Sequence, residues 1–488
     1  MSAQDVRDTS PDELLMHEEE PEGPTQSSKA MIIKLLIALG LFLFIYFLPR
    51  PESLPVEAHR LGAILLPIVF LWVSEAIPIG VTALLATALM IIFKVTGSSQ
   101  AWAPYANRTV MFVMMIIMFG VILNEVGLAK RLLFFILKFA GTKVKQLSFF
   151  IAISSTLLST IFHDATITII MLFAIVPLFQ GMGITPKKSN NLSKFFIILI
   201  PLAASAGGFG TMLGGGRCAL AVDITQKYLL EATGVAVKIG FLKYAIVEFP
   251  VSIFTAVATW AVCFLYFRPK EKELPASVKI ESMPPMSSAE KGVAAVFSAA
   301  FILWFAGDLT GWHVSVVAAL ALACFCAPGW VSFKTICDKF PWESWIVFGS
   351  GVSLGAAMLS SGLGKYLAEV CLPLLQGHSP FVTYYGIGLF GSALSSMMSN
   401  SAAVALSLPV TLPMASMMNM SVETVGLLAP MTTSFIMLVI GCPPTIIAYS
   451  TGYFSQIEFS KIAIPWCLIL LAICVFAALT YWPMIGFQ

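Results

Sequence analysis

Pro443 and Pro444 stand inside an apolar run, residues 423–450, that is otherwise long enough to cross a bilayer core of roughly 30 Å. Proline has no backbone N–H to donate and pushes the residue before it out of helical geometry. Gly441-Cys442-Pro443-Pro444-Thr445 must therefore be a break in a hydrophobic segment. In hydrocarbon an unpaired backbone group is costly, so such a break survives only where it is buried in protein or lines a wet cavity. Upstream, the run 381–416 carries a second polar interruption, Ser399-Asn400-Ser401. A chain of this kind has to fold around both.

The rest of the chain agrees with a lipid setting. Of 488 residues 58% are hydrophobic and 11% charged, and the mean hydropathy is +0.89, which describes a polytopic membrane protein, expected to be all-α and to lie in the cell membrane. Runs at 31–49, 109–128, 239–267 and 462–485 are long enough to cross, and those at 59–73, 79–93, 292–306 and 312–328 are shorter. The runs 147–180, 195–225, 381–416 and 423–450 contain Gly, Pro and polar breaks. Lys130, Arg131, Lys138, Lys143 and Lys145, then Lys187, Lys188 and Lys194, then Arg268 to Lys279 supply the cations that the positive-inside rule assigns to the cytoplasm. Threading the chain through them predicts about eleven crossings, with the N-terminus inside. Residues 1–29 read as a disordered acidic cytoplasmic tail with no cleavable leader. The charged, proline-bearing stretch 268–290 reads as a cytoplasmic linker between halves 30–267 and 291–488. Nine separated cysteines predict neither a disulfide framework nor a metal site. Nothing in the composition suggests a nucleic-acid partner or a cofactor.

The halves repeat. Gly127-Leu128-Ala129-Lys130 recurs as Gly362-Leu363-Gly364-Lys365 at an offset of 235, and His163-Asp164-Ala165 recurs as Ser399-Asn400-Ser401 at an offset of 236. Ser159 and Ser395 stand at the same place before each triplet. The five cations after the first Gly-Leu landmark have dwindled after the second, as inversion across the membrane would require. The counterpart of Gly441 to Thr445 is Gly214-Gly215-Gly216-Arg217-Cys218.

With these residues in hand the chain resembles the divalent-anion/sodium symporter family, which transports dicarboxylates, citrate and sulfate, and within it the bacterial dicarboxylate branch. The resemblance covers essentially everything after the N-terminal tail. It implies re-entrant hairpins near 147–180 and 381–416, two broken helices, a homodimer, and an elevator in which a transport domain moves against a scaffold. Family members carry two Ser-Asn-Thr tips, each followed by a Thr-Pro-Pro-Asn-like break. By similarity Asn400, Ser401, Cys442 and Pro443 touch a substrate carboxylate, and Ser395, Ser399 and Asn400 help form the second sodium site. The first tip departs from the pattern: His163, Asp164 and Ala165 replace Ser, Asn and Thr, and Gly215, Gly216, Arg217 and Cys218 replace the break. Sodium needs oxygen ligands, and a guanidinium supplies none. The first cation site, at Ser159, His163, Asp164 and Arg217, is expected to be lost and replaced by the fixed charge of Arg217. His163, Asp164, Ala165 and Arg217 then become candidate substrate contacts.

These expectations describe a secondary transporter that exchanges C4–C5 dicarboxylates (succinate, malate, fumarate, 2-oxoglutarate) without sodium, because a tethered cation without its anion crosses the barrier poorly. Pairing of Asp164 with Arg217 would weaken that argument and allow uniport. The alternative is sodium-coupled dicarboxylate, citrate or sulfate symport through the second site alone. An intramembrane hydrolase lacks its nucleophile and base, or a complete zinc motif. A channel does not call for two matched half-sites.

Overall fold

The computed structural model describes residues 28–128, 131, 141–274 and 284–487. Residues 1–27 of the acidic tail, Lys130, Lys138 and the middle of the linker lie outside the described residues. Among those described, the regular structure is helical. The longer helices are α1 (Ser28–Phe47), α2 (Val56–Ser74), α3 (Ile79–Ile92), α4 (Arg108–Glu125), α5 (Val144–Ser159), α6 (Asp164–Gly181), α7 (Asn191–Gly207), α8 (Gly216–Thr233) and α9 (Phe241–Phe267) in the first half. The second half holds α10 (Ser288–Phe305), α11 (Val314–Cys326), α12 (Trp342–Ser360), α13 (Leu363–Leu375), α14 (Pro380–Ser395), α15 (Asn400–Met417), α16 (Val422–Thr432), α17 (Pro443–Ser450) and α18 (Gln456–Met484).

Seven helical spans among the described residues are long and apolar enough to cross a membrane, or eight if α12 and α13, bent by 74°, count as one. Much of the remaining apolar chain is in helices too short to cross alone, including α3, α5, α7 and α11. The reason is local. The polar triplets end α5 and α14 and start α6 and α15, turning each segment back as a hairpin.

The repeat is a repeat of structure. Both α5 and α6 recur, as α14 and α15, with starts and ends 236 residues later. The Gly-Leu landmark is a helix junction in both halves: Gly127 has φ +83° and Gly362 φ +81°, a left-handed backbone that glycine adopts without a Cβ clash. Equivalent hydroxyls tie each hairpin to the next helix. Thr156 Oγ1 donates to the Ala203 carbonyl at 2.9 Å, and Ser392 Oγ to the Thr432 carbonyl at 2.7 Å.

Inversion follows from how α9 and its counterpart α18 lie together. Trp466 Nε1 donates to Thr259 Oγ1 at 2.9 Å, while Tyr481 and Trp482 donate to the Ile246 and Val247 carbonyls. Position thus falls along one helix as it rises along the other, and the two run antiparallel. At the other end, Asn191 donates to the Phe267 carbonyl, and Lys194 meets Glu458 at 2.6 Å.

Packing sorts the helices into two groups. One comprises α5–α9 with α14–α18, interleaved so that α8 lies against α15 and α16, and α6 against α17. The other comprises α1–α4 with α10–α13, and meets the first where α12 and α13 touch α15 and where α4 touches α8. The core at these junctions is built of side chains such as Val404, Leu408, Leu354 and Phe112, all fully buried. α1 is almost wholly exposed along an apolar face, as a lipid-facing span would be.

Candidate functional site

Four helices begin close together. α6 is capped by His163, whose Nδ1 accepts from the Ala165 N–H at 3.3 Å, and α15 by Ser399, whose Oγ accepts from the Ala402 N–H at 3.3 Å. The other two, α8 and α17, start at Gly215 and Cys442, both in extended backbone and without a side-chain cap. Helix starts carry exposed N–H groups and a positive end of the helix dipole, so their convergence favours an anion.

Arg217 lies at the start of α8, where the local dipole disfavours a cation. It is held there by the groups around it. Its Nη1 donates to Asp164 Oδ2 at 3.2 Å, its Nε to Ser434 Oγ at 2.9 Å, and its Nη2 to the Ser205 carbonyl at 3.4 Å. The Asn400 amide, with its oxygen facing the guanidinium, accepts from Nη1 at 3.2 Å while its nitrogen donates to the Thr433 carbonyl at 3.1 Å and to Ser395 Oγ at 2.7 Å. Ser395 Oγ in turn donates to the Thr433 carbonyl at 2.5 Å. Arg217 and Asp164 are 3% and 2% exposed, so this ion pair is a buried one. A buried pair is costly to break from one side, since the orphaned charge stays desolvated.

One side chain therefore reaches both hairpin tips. Asp164 and Asn400 occupy the same position in the two repeats, and the Arg217 guanidinium touches both. Glycines make the room. A Cβ on Gly208 would stand 2.5 Å from Nη2, and one on Gly215 would stand 2.8 Å from Nη1. Gly215 has φ −170°, which any residue adopts, so the three-glycine break is required by close approach rather than by backbone freedom.

The candidate residues separate into those the fold gathers and those it leaves aside. Asp164, Arg217, Asn400 and Ser395 form one hydrogen-bonded cluster. Cys442 approaches it through Ser205, at 3.7 Å between Sγ and Oγ. Asp164, the first residue of α6, makes the contact with the Arg217 guanidinium. His163, a third exposed, faces Asp164 Oδ1 at 3.2 Å instead. Ala165 donates its N–H to Asp164 Oδ1 at 2.9 Å. Ser401 is half-buried beside the cluster, Ser399 is engaged as a cap, and Pro443 is exposed at the first turn of α17. Ser159 is fully buried and its hydroxyl has no partner among the described residues, unlike its counterpart Ser395. Beside Ser399 a cavity of about 30 Å³, bordered by Trp72, Val347, Met398 and Ala402, has room for water but not for a dicarboxylate.

Ser205 and Ser434 were not among the candidate residues. Both are hydroxyls within apolar runs next to the breaks, which is the signal that could have found them. Ser434→Ala leaves the buried Nε–H without its acceptor, an expected loss of about 1–3 kcal/mol. Thermal unfolding of the purified protein measures it; an unchanged midpoint would mean that Nε has turned to another acceptor.

Paired hairpins and broken helices whose starts meet within inverted repeats define the architecture of a secondary transporter. The chain belongs to the family described as the sodium:sulfate symporter transmembrane region, whose model matches residues 29–488. The resemblance read from the motifs is thereby borne out. Among its relatives, the sodium-dependent dicarboxylate transporter SdcS of Staphylococcus saprophyticus is 25% identical over 488 residues, covering 93% of this chain and 92% of its own. A protein described as a membrane protein from Cupriavidus necator is 25% identical over 483 residues, with coverage of 93% and 92%. The crystal structure of the Alcanivorax borkumensis YdaH transporter aligns with a TM-score of 0.55 at 16% identity, covering 94% of this chain and 98% of that one. At that identity the likeness is one of fold.

Proposed function

We propose that the chain exchanges C4–C5 dicarboxylates, such as succinate, malate, fumarate and 2-oxoglutarate, across the cell membrane without sodium, with Arg217 standing in for a coupling cation. The observation that carries this reading is the single guanidinium spanning both tips, bonded to Asp164 and to Asn400. A sodium ion at the first site would have to share its place with a fixed cation. One at the second would meet the same guanidinium 3.2 Å from the Asn400 oxygen it needs. The dicarboxylate assignment is supported by the name of the SdcS relative and by four helix starts that favour anionic ends. Of the five guanidinium donors, four go to described protein groups, and the fifth is free for a substrate carboxylate. His163, Ala165, Ser401, Cys442 and Pro443 complete the contacts.

Asp164 moderates the argument for exchange. The ion pair removes the full charge from the empty site, leaving the partial charge of the helix starts to slow its return. An elevator motion of α5–α9 with α14–α18 against the other helices, in a homodimer with its N-terminus in the cytoplasm, completes the reading.

Sodium-coupled symport is the second reading, favoured by the retained Ser395, Ser399 and Asn400 oxygens. Labelled succinate uptake into proteoliposomes separates the two. Uptake that requires internal dicarboxylate and is equal in sodium and potassium is the expected result; concentrative, sodium-driven uptake into empty vesicles would replace exchange with symport.

A further inference from the structure

Glu248 is a charge-bearing residue in the apolar run 239–267, and the cluster around Arg217 makes no use of it. It lies on α9, fully buried, and neither carboxyl oxygen has a hydrogen-bond partner among the described residues. The ionisable groups that face it are Cys218 on α8, Tyr244 one turn earlier on α9, and Cys474 on α18. Tyr244 directs its hydroxyl to the Phe209 carbonyl at 3.0 Å. Arg217, which precedes Cys218 in the chain, is itself engaged by Asp164. Among these groups no cation is bonded to Glu248. An ionised carboxylate buried without a partner is strongly disfavoured, whereas the neutral acid is tolerated.

The backbone at this point is also unusual. Pro250 lies inside α9 and cannot donate to the Ile246 carbonyl. That carbonyl accepts from Tyr481 Oη at 2.7 Å instead, and the Val247 carbonyl from Trp482 Nε1 at 3.2 Å. Glu248 thus sits in a proline-broken turn clamped by the inverted partner helix, one packing layer from the Arg217 cluster through Cys218.

We propose that Glu248 is a proton-binding site linked to the transport cycle: it carries a proton while buried, and releases it to water in the arrangement that wets this face of α9. The inference rests on the transport reading and deepens it by naming the coupled ion. The chemistry is a single protonation. An O–H bond forms on the carboxylate with a proton from the aqueous side and breaks when the proton returns to water on the other side, so no oxidant or further reactant is needed. With a dicarboxylate dianion aboard and the Arg217–Asp164 pair neutral, the proton on Glu248 removes one of the three negative charges that would otherwise be moved through the low-dielectric barrier.

The test uses the full chain in sodium-free proteoliposomes with labelled succinate. Exchange at equal pH on both sides is the control, followed by uptake with the outside made acid. Wild-type uptake is expected to rise several-fold with the gradient. Glu248→Gln, which copies the neutral acid, is expected to keep exchange at equal pH and to lose the gradient response. Its unfolding temperature should be unchanged or higher, since no hydrogen bond is lost. Infrared difference spectra should show a protonated carboxylic acid band at neutral pH that Glu248→Gln removes. Glu248→Met replaces that variant if it folds poorly. A gradient response retained in the variant, a wild type that exchanges succinate with no response to the gradient, or spectra that the substitution leaves unaltered would each overturn the proposal. Absence of wild-type exchange at equal pH would instead sink the transport reading, with the infrared arm still deciding the proton site.

Discussion

Arg217→Ala is expected to abolish dicarboxylate exchange. The substitution removes the guanidinium from Asp164, Asn400, Ser434 and the Ser205 carbonyl at once. It leaves the Asp164 carboxylate 2% exposed with no counter-charge. Removing one member of a buried pair costs about 3–5 kcal/mol, and a loss of that size in substrate or transition-state stabilisation corresponds to roughly 10²- to 10⁴-fold in rate. Labelled succinate exchange in proteoliposomes checks it, together with thermal unfolding of the same preparation. The companion variant Arg217→Ala with Asp164→Ala separates two roles. If the guanidinium serves only to neutralise Asp164, the double variant recovers both stability and exchange. If it also receives the substrate carboxylate, stability returns and transport does not, which is the outcome expected here. Exchange retained in the single variant would mean that Arg217 has a structural role only.

The second large effect is expected at Gly214. A Cβ there would stand 2.7 Å from the Gly208 carbonyl oxygen and closer still to that of Ser159. Neither neighbour is a side chain that can swing away, so Gly214→Ala must shift either the end of α5 or the strand of backbone leading into α8. Overpacking of this kind costs about 1–3 kcal/mol. The displacement also falls on the segment that aims Arg217, so exchange should fall further than stability. Gly441 faces the Ser395 carbonyl in the same way, with its added Cβ at 2.8 Å, and should behave alike. Gly40→Ala on α1 is the control, because nothing lies within 4 Å of its added Cβ. Equal behaviour of Gly40→Ala and Gly214→Ala would remove close approach as the reason for the glycine run.

How much of this was legible in advance depended on whether the signal was local. Two prolines in a membrane-length run announce a broken helix from covalent structure alone, and α17 begins at Pro443. The offset of 236 between the triplets proved to be the offset between whole hairpins. The change from Asn400 to Asp164, together with the arrival of Arg217, already suggested a cation replaced by a side chain. The expected identity of the transporter family followed from the same motifs. The number of crossings was harder to read, since hydropathy does not distinguish a span from a hairpin arm of the same composition.

The partners of Arg217 lay beyond that kind of reading. Ser434 is 217 positions away in sequence, and nothing in its immediate neighbours marks it as the acceptor for Nε. Nor could spacing show that the guanidinium reaches Asn400 as well as Asp164, which bears on both cation sites rather than one. Sequence by itself determined where the backbone must break, that the break is duplicated, and which residue types stand at each copy, because proline geometry, glycine volume and hydropathy act over a few residues. Only the tertiary structure decided which charge meets which, because a buried ion finds its partners in space: the inverted halves interleave, and that brings Asp164, Asn400 and Ser434 around one guanidinium.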